Sequence, residues 1–386
     1  METTKVAIIG LGTVGSGVAQ VLLSHGDRIA CQAGRPLELA TIIVTDVEKP
    51  RSLQLPEGLL SSDLESLIND PAIPVVIQLI GGLEPARTIM LRLLESGKDV
   101  ITANKALLAE HGSELFERAR QLGRSIAFEA SVCGGIPIIT AIGQSLAANR
   151  IESLCGILNG TSNYIMTRMT EEGVGYEEAL AEAQQRGYAE TDPTLDVDGS
   201  DAAQKLAILV QLSYRTEVSW QSIPCTGIEQ LSLDDLQCTH QMGYRIKLLG
   251  IAQLVDSGLE IHVSPTLVRC GQPLAEVRNS ENAISVVGDI AGRVFFQGPG
   301  AGQMPTASAV VADLIDTVVG RSQLTFQQAG LGMRPENPLE MNSPGEHSGR
   351  YYLRMSVVDE PGVMAEVAGI LGSQRVSINS IIQRES

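Results

Sequence analysis

The chain reads KVAIIGLGTVG from Lys5 to Gly15, and this stretch decides the fold of the N-terminal part. Residues 5–10 are a short apolar run, which is typical of a buried strand. A helical pattern follows from Thr13 to about Ile29. The stretch therefore predicts a strand, a glycine-rich turn and a helix in immediate succession.

Gly10, Gly12 and Gly15 form the pattern GxGxxG within that turn. Gly10 permits the tight turn, Gly12 lets a pyrophosphate approach the backbone, and Gly15 lets the helix pack closely on the strand. The free N–H groups at the start of the helix favour phosphate oxygens. Because a strand and a helix flank the motif, the sequence predicts a dinucleotide-binding turn.

Strands and helices continue to alternate after the first helix. Continuous apolar strands that alternate with helices indicate an α/β fold with a Rossmann-type, doubly wound parallel sheet, whose ligand lies beyond the carboxyl ends of the strands. Strands are predicted at residues 38–45, 74–80, 99–102 and 125–129, and helices at 63–69, 85–96 and 107–123.

The end of the second strand bears on which dinucleotide is bound. Asp46 suits a ribose 2′-hydroxyl and favours NAD, whereas Lys49 and Arg51 suit a 2′-phosphate and favour NADP. These residues therefore do not distinguish NAD from NADP. Lys105, at the end of a later strand, is either catalytic or a solvated lysine at the start of a helix.

Composition narrows the class of protein. A length of 386 residues argues for two or three domains, and a net charge of −17 argues against nucleic acid or an anionic membrane as a partner. No apolar run reaches the length of a membrane span, and the N-terminus lacks the layout of a signal peptide. The scattered cysteines, without a CxxC pair, suit a reducing compartment. We therefore expect a cytoplasmic globular protein.

Two irregular turns follow the first group of strands. Glu129 leads into ASVCGGIPII at 130–139, which could ligate a hard cation or serve as a hinge before a helix predicted at 138–148. The polar turn NGTSN at 159–163 follows a strand predicted at 150–158. It either binds a small polar ligand or caps the helix that begins near Tyr164.

A loop rich in carboxylates runs from Gly187 to Lys205. Asp201 and Lys205 are four residues apart at the start of an apolar helix, so they lie on one face, where an amine beside carboxylates could transfer a proton or bind a zwitterion. The alternative is a solvated loop with a surface ion pair worth about 0.3–0.5 kcal/mol. The spacing misses that of an EF-hand calcium loop. The acidic residues of the loop are Glu190, Asp192, Asp196, Asp198 and Asp201.

The remaining sequence predicts an α+β domain and a tail. A glycine-rich run at 298–302 precedes a helix at 305–319, and it is either a second cofactor contact or a loop returning to the first domain. A mostly antiparallel sheet is predicted from strands at 246–255, 259–267, 283–287 and 293–297. Beyond a polar linker at 321–349, the tail predicts a strand at 351–358, a helix to about residue 371 and a strand at 376–382.

Taken together and in order, these motifs resemble the homoserine dehydrogenase family. The resemblance covers residues 5 to about 320, and its acidic loop is not a general feature of Rossmann domains. The tail, with DEPGV at 359–363, is similar to the first half of an ACT domain and is expected to be a partial βαβ unit. The matching motifs are GLGTVG at 10–15, TANK at 102–105, EASVCGGIP at 129–137, LNGTSNYI at 158–165, the loop 187–205 and GAGQMPTASAV at 300–310.

The resemblance implies an NAD(P)-dependent interconversion of L-homoserine and L-aspartate 4-semialdehyde in threonine, methionine and isoleucine biosynthesis, by a homodimer or homotetramer. The alternatives are another NAD(P)-dependent amino-acid dehydrogenase or a non-catalytic amino-acid sensor. With an incomplete ACT domain, this form is expected to be insensitive to threonine. The implied domains are 1–130 for NAD(P), with 300–320 returning to it, 131–299 for substrate binding and dimerisation, a linker at 321–349 and a partial ACT domain at 350–386.

The family's functional residues carry over position by position. Lys205 matches the proton-transferring lysine, and Lys105 matches a second active-site lysine near the nicotinamide. The substrate residues are Glu190, Asp201, Thr161 and Tyr188; the cofactor residues are Gly10, Gly12, Thr13, Val14, Gly15, Lys105, Gly187 and Gly302; and the sodium ligands are Glu129 with the carbonyls of Val132, Gly134 and Ile136. Many members carry arginine where this chain has Thr45, a departure that weakens an NADP-only assignment.

Overall fold

The first sheet has six parallel strands. The structure, a computed structural model, describes residues 3–331, 339–342 and 349–383. Its N-terminal strands follow the order β3-β2-β1-β4-β5-β6, with all neighbours parallel, as the alternation of strands and helices predicts. They are β1 Thr4–Ile9, β2 Leu37–Ile43, β3 Leu60–Ser61, β4 Val75–Gln78, β5 Asp99–Thr102 and β6 Ile126–Ala127.

Helices cover both faces of this sheet, and for that reason its central strands are mostly apolar. Val6 and Ile8 of β1 pack into one hydrophobic cluster, whereas Ala7 and Ile9 pack into another on the opposite face. The helices of this part are α1 Thr13–Ser24, α2 Gly26–Ala33, α3 Leu64–Asn69, α4 Ala86–Glu95 and α5 Lys105–Gln121.

The single helix predicted at 13–29 is wrong, because the structure has two helices there. The Ser24 hydroxyl donates to the Gln20 carbonyl, and the backbone of His25 leaves helical geometry at φ −124°, ψ 23°. A glycine at position 26 then starts the second helix in a new direction.

The second sheet is antiparallel and five-stranded, in the order β11-β10-β7-β8-β9. Helix α10, Ser200–Tyr214, lies between this sheet and α5, so that most of its residues are buried. The strands are β7 Ile151–Ile157, β8 Tyr244–Val255, β9 Gly258–Arg269, β10 Glu281–Gly288 and β11 Gly292–Pro299. The other helices of this part are α6 Ile138–Thr140, α7 Gly160–Glu172, α8 Tyr176–Gln185, α9 Thr194–Val197 and α11 Leu233–Gln241.

The chain crosses between the two sheets twice, and the crossings touch. The first follows β6 and the second follows β11, and the Gly135 N–H donates to the Pro299 carbonyl at 2.9 Å. The helix predicted at 138–148 is irregular here: α6 is short and continues as a π-helical turn, Ala141–Ser145. After the second crossing, helix α12, Gln303–Val318, packs against α1 of the first sheet.

The C-terminal region differs from the prediction in two respects. The predicted linker begins with a helix, α13 Arg321–Ala329, in which Phe326 is buried against Phe116. The strands predicted at 351–358 and 376–382 are absent from the described residues, which keep only helix α14, Val363–Ser373, in this region. Strands need a neighbouring strand to form a ladder; within the part of the chain that the structure describes, neither segment forms one, and both are mostly exposed. The rest of the linker, 332–338 and 343–348, and residues 384–386 lie outside the described residues.

None of the described helices is both long enough and apolar enough to span a lipid bilayer.

Candidate active site

Lys105 is held at the carboxyl end of the first sheet by the residue before it. Asn104 caps helix α5, with its Oδ1 accepting the Leu107 N–H at 3.0 Å. The Asn104 amide nitrogen donates to the carbonyls of Ile80 and Gly82, at 2.9 and 2.7 Å, just beyond the neighbouring strand β4. These bonds fix the first residue of α5, Lys105, at the sheet edge where a doubly wound fold binds its ligand.

Two lysines converge on one carboxylate. The Lys105 Nζ lies 2.7 Å from Asp201 Oδ1, and the Lys205 Nζ lies 2.7 Å from Asp201 Oδ2. Lys105 begins α5 beside the first sheet, whereas Asp201 and Lys205 lie one turn apart on α10 beside the second. The structure therefore brings Lys105, which is distant in the sequence, to the pair formed by Asp201 and Lys205, across the boundary between the two sheets.

This cluster is buried on one side and open on the other. The side chains of Asp201 and Lys205 are 6% and 11% exposed, whereas that of Lys105 is 41% exposed. The Lys205 ammonium also donates to the Leu158 carbonyl at 2.7 Å, at the end of β7. The ion pair is thus not the surface pair of the alternative interpretation, and a ligand would reach it from the side of Lys105.

Asn159 connects two of the acids of the loop. Its amide nitrogen donates to Asp201 Oδ2 at 2.8 Å and to Asp196 Oδ1 at 2.7 Å. Its Oδ1 accepts the Ser162 N–H at 2.7 Å and so caps α7. The NGTSN turn thereby caps a helix and supports the charged cluster with the same side chain.

Burial and charge act in opposite directions on these groups. Burial alone would raise the pKa of Asp201, but the ammonium groups of Lys205 and Lys105 hold it well below its usual range. Burial would lower the pKa of Lys205, but the Asp201 carboxylate outweighs it, so that the pKa is raised. Lys205 is therefore a cation at neutral pH. Burial also raises the pKa of Asp196, against the effect of the Asn159 amide.

Of the other residues predicted to bind substrate, Thr161 lies in the first turn of α7, whereas Tyr188 and Glu190 lie on the loop after α8. The Thr161 hydroxyl donates to the Tyr188 carbonyl at 2.7 Å, and the Tyr188 ring packs on Tyr164 with a centroid separation of 4.9 Å. Gly187 ends α8 with φ +73°, a conformation that favours glycine. The Glu190 carboxylate is exposed and makes no hydrogen bond or ion pair within the described parts of the chain.

The glycine-rich turn has the geometry that a dinucleotide requires. Gly10 adopts φ +95°, and a Cβ built on Gly15 would lie 2.1 Å from the Gly10 carbonyl oxygen. A Cβ built on Gly12 would meet nothing within 4 Å, so an open space lies in front of it. Thr13 and Val14 begin α1 behind this space, with N–H groups that the first turn of a helix leaves free. These residues fit a pyrophosphate.

Gly302 lies at the start of α12, on the second chain segment that reaches the first sheet. It adopts φ +115° as the residue before the helix. Helix α12 packs closely on α1, because a Cβ built on Gly17 would lie 2.9 Å from the Gln303 side chain. The glycine-rich run at 298–302 therefore returns the chain to the first sheet, beside the helix that follows the dinucleotide turn.

A pair of alanine variants separates the two glycine roles in the turn. Gly15→Ala is expected to lower the free energy of unfolding by about 1–3 kcal/mol, because its methyl group overlaps the Gly10 carbonyl. Gly12→Ala is expected to unfold normally but to bind dinucleotide at least tenfold more weakly, because its methyl group enters the open space. Denaturant unfolding and reduced-nicotinamide fluorescence titration measure the two effects. Equal behaviour of both variants would contradict this assignment.

The residues expected to select the dinucleotide are engaged with one another. Asp46 Oδ1 accepts the N–H groups of Glu48 and Lys49 at 2.9 and 3.2 Å. The Arg51 guanidinium donates to the carbonyls of Asp46, Val47 and Lys49. The loop after β2 is thus a closed turn that carries both the acid and the bases, with Asp46 and Lys49 exposed and Arg51 half-buried.

The turn after Glu129 fits a monovalent cation in part. No backbone N–H in the described segments donates to the carbonyls of Val132 and Gly134, whereas the Ile136 carbonyl accepts from Ile138 at 2.8 Å. The Glu129 carboxylate accepts the N–H groups of Ile139 and Thr140, both at 2.8 Å. Burial raises the pKa of Glu129. The site therefore offers free carbonyl oxygens, while the carboxylate caps the start of α6.

The sequence did not single out Leu158 or Asn282 as site residues. The Leu158 contact is made by a backbone carbonyl, which the identity of the side chain does not reveal. Asn282 donates to that carbonyl at 3.0 Å from a strand 124 positions away. Asn159 did carry a signal, because an asparagine after a strand is a common helix cap.

The chain is similar to known proteins along most of its length. The family model described as "Homoserine dehydrogenase" matches residues 137–315, and the one described as "Homoserine dehydrogenase, NAD binding domain" matches residues 10–129. The model described as "ACT domain" matches residues 351–386.

Individual proteins are similar over nearly the whole chain. A homoserine dehydrogenase of Pseudomonas aeruginosa is 42% identical over 395 residues, which cover 100% of this chain and 89% of that protein. One of Bacillus subtilis is 40% identical over 383 residues, with 99% and 88% covered. The crystal structure of a homoserine dehydrogenase from Thiobacillus denitrificans has a TM-score of 0.88 and 38% identity, with 99% of this chain and 89% of that chain covered.

Proposed function

Because this chain belongs to the homoserine dehydrogenase family and is an oxidoreductase with a nicotinamide dinucleotide domain, we propose that Lys205, Lys105 and Asp201 form its catalytic centre. The reaction interconverts L-homoserine and L-aspartate 4-semialdehyde. The observation that supports the assignment is the convergence of both ammonium groups on the Asp201 carboxylate, at 2.7 Å each.

Lys205 is proposed to transfer the proton. When homoserine is oxidised, the C4 hydrogen leaves as a hydride and the hydroxyl proton passes to the Lys205 amine. In the reverse direction the Lys205 ammonium donates that proton to the developing alkoxide, whose negative charge it also stabilises. The bound dinucleotide supplies a nicotinamide that accepts or delivers the hydride. Asp201 and the Leu158 carbonyl hold the amine in place.

The substrate is a zwitterion, so its ammonium group requires carboxylates. We assign this role to Glu190 and Asp201, with Thr161 and Tyr188 beside them. Glu190 is suited to it because its carboxylate is exposed and unpaired within the described residues. The substrate ammonium competes with Lys105 for Asp201, and Lys105 is the more exposed of the two lysines. Lys105 is then free to turn toward the nicotinamide side of the site.

The cofactor is held at the turn of the first sheet. The residues proposed to contact it are Gly10, Gly12, Thr13, Val14, Gly15, Lys105, Gly187 and Gly302. We propose NADP or NAD as the cofactor, since Asp46 lies with Lys49 and Arg51 in one turn and Thr45 replaces the arginine of many members. A sodium ion is proposed at the Val132, Gly134 and Ile136 carbonyls, near Glu129.

The proposal extends to the oligomeric state of the protein and to its cellular compartment. We propose a homodimer or homotetramer formed through the second sheet, as the resemblance to the family implies. A cytoplasmic location is supported by six cysteines that are all free thiols.

An initial-rate assay with homoserine tests the proposed activity. Purified protein with NAD or NADP is expected to produce a homoserine-dependent rise in reduced-nicotinamide absorbance. A panel of other amino acids, including aspartate, tests the alternative of a different amino-acid dehydrogenase. No turnover with any of them, combined with amino-acid binding in calorimetry, would support the sensor alternative instead.

The pH dependence of the two directions is expected to differ. Homoserine oxidation needs neutral Lys205, whose pKa is raised, so its rate should increase from about pH 7 to beyond about pH 10. Semialdehyde reduction needs the ammonium form, which is already present at neutral pH, so its rate should fall only at high pH. Initial rates over this range measure both. A rate of oxidation that peaks below neutral pH would contradict the role of Lys205.

A further inference from the structure

A buried amide lies behind the proposed proton-transferring lysine. Asn282, the second residue of β10, is 1% exposed. Its Nδ2 donates to the Leu158 carbonyl at 3.0 Å and to Cys133 Sγ at 3.1 Å. The same Leu158 carbonyl accepts the Lys205 ammonium at 2.7 Å. One backbone oxygen therefore receives both the amine and the amide, one on each of its lone pairs.

The orientation of the Asn282 amide follows from its partners. A backbone carbonyl can only accept, so the nitrogen of the amide must face Leu158. The Asn282 Oδ1 then points away and has no hydrogen-bond partner in the described residues. Among the described residues, the side chain therefore makes two hydrogen bonds, both as a donor, and one of them is the bond to Leu158.

Two glycines pack closely against the amide. A Cβ built on Gly300 would lie 2.1 Å from the Asn282 Cγ, and one built on Gly160 would lie 3.2 Å from its Oδ1. Gly160 begins α7 next to Asn159, which bonds Asp201. Gly300 belongs to the segment that leads to Gly302 and α12. The amide therefore fills the space between the charged cluster and the chain segment that returns to the first sheet.

We propose that Asn282 is a positioning residue for Lys205. By holding the Leu158 carbonyl, it sets the direction in which the Lys205 amine points, and Gly300 keeps the amide in place. The proposal rests on the proposed role of Lys205 in proton transfer. The proposed role of Asn282 involves no contact with the reacting atoms or the nicotinamide. Asn282 acts only through the Leu158 carbonyl that it shares with Lys205.

Removing the amide should slow proton transfer without weakening binding. In Asn282→Ala, kcat for homoserine oxidation is expected to fall about 10- to 100-fold, because a catalytic group displaced by a fraction of an ångström loses that much. The KM for homoserine and the dinucleotide Kd are expected to stay within about twofold. The solvent deuterium isotope effect on kcat should increase, since proton transfer becomes slower. Asn282→Leu, which keeps a similar volume but no donor, should behave in the same way.

A half-buried asparagine, also held by hydrogen bonds, provides the control. Asn149 accepts the N–H groups of Ile290 and Ala291 at 3.3 and 2.7 Å, away from the lysine cluster. Asn149→Ala should affect thermal unfolding but leave kcat and the isotope effect unchanged. If Asn149→Ala lowers kcat as much as Asn282→Ala does, a general loss of packing explains both and the proposal is overturned.

Gly300 allows the same contact to be broken from the other side. A methyl group at 300 would overlap the Asn282 side chain, so Gly300→Ala should displace the amide and lower kcat. Combining it with Asn282→Ala removes the overlap, and the double variant should be no slower than Asn282→Ala alone. Fully additive losses in this cycle would show that the two residues act independently and would overturn the proposal.

Failure of this inference is distinguishable from failure of the proposed function. Lys205→Ala with near-normal activity would reject the catalytic centre itself, whatever the variants at 282 do. Loss of activity in Lys205→Ala, together with normal kcat and isotope effect in both Asn282→Ala and Asn282→Leu, would leave the centre intact and reject only the role of Asn282.

Discussion

Replacing Lys205 by alanine is expected to lower kcat for homoserine oxidation by about 100- to 10,000-fold, the range that a general acid–base group contributes. The amine is held by Asp201 and the Leu158 carbonyl, both at 2.7 Å, and its loss leaves the hydroxyl proton without an acceptor. The dinucleotide turn lies on the other sheet, so cofactor affinity should be nearly unchanged. Stopped-flow turnover and fluorescence titration of the same preparation measure both quantities.

Another buried lysine serves as the control for this variant. Lys98 is 2% exposed and donates to the carbonyls of Asp70 and Ile73, within the first sheet and its loops. Lys98→Met should lower the unfolding temperature but keep kcat close to that of the parent. Activity of Lys205→Ala within tenfold of the parent would reject Lys205 as the proton-transfer group. Lys205→Arg should also be inactive in oxidation, because a guanidinium does not lose its proton.

Asp201→Asn is the variant with the second largest expected effect. The substitution leaves two neighbouring ammonium groups without their shared carboxylate, and breaking a buried ion pair in this way costs about 3–5 kcal/mol of stability. We expect kcat/KM for homoserine to fall at least 100-fold, because the substrate ammonium also loses a partner. Denaturant unfolding and steady-state kinetics measure the two losses.

The same variant changes the pH dependence in a defined direction. The Asp201 carboxylate raises the pKa of Lys205. Replacing this carboxylate by a neutral amide should therefore shift the pH range over which the rate of homoserine oxidation increases to lower pH. The depressed pKa of Asp201 itself means that its stabilising effect is present above the pKa of an unfolded aspartate and is lost as pH falls below it. Asp192→Asn, on the exposed part of the same loop, should leave the pH profile of homoserine oxidation unchanged. An unchanged pH profile in Asp201→Asn would contradict the coupling.

Local patterns account for the features that the sequence predicted well. The dinucleotide turn depends on glycines within six consecutive residues, and the structure gives each of them the expected constraint. Asp201 and Lys205 are one helical turn apart, so their pairing follows from helix geometry. The parallel pairing of the strands in the first sheet follows from the alternation of apolar strands and helices, whereas the short strand β3 was not predicted.

Features that depend on contacts between residues distant in the sequence were either not predicted or predicted wrongly. The pairing of β10 with β7 brings Asn282 beside Leu158, and nothing near position 282 in the sequence indicates it. Burial of the Lys205 pair depends on the packing of α10 between α5 and the second sheet, which the acidic composition of the loop obscures. The prediction of strands at 351–358 and 376–382 was wrong because β-propensity alone does not supply the ladder partners that a strand requires.

The paired crossings between the sheets limit how the molecule can open. Because the Gly135 N–H donates to the Pro299 carbonyl, the two connections between the sheets lie side by side and could act as one hinge line. Swinging about that line would separate Lys105 from Asp201 while Lys205 and Asp201 stay together on α10. Because α5 also packs on α10, entry of an amino acid would be coupled to breaking the ion pair between Lys105 and Asp201 together with the contacts between these two helices.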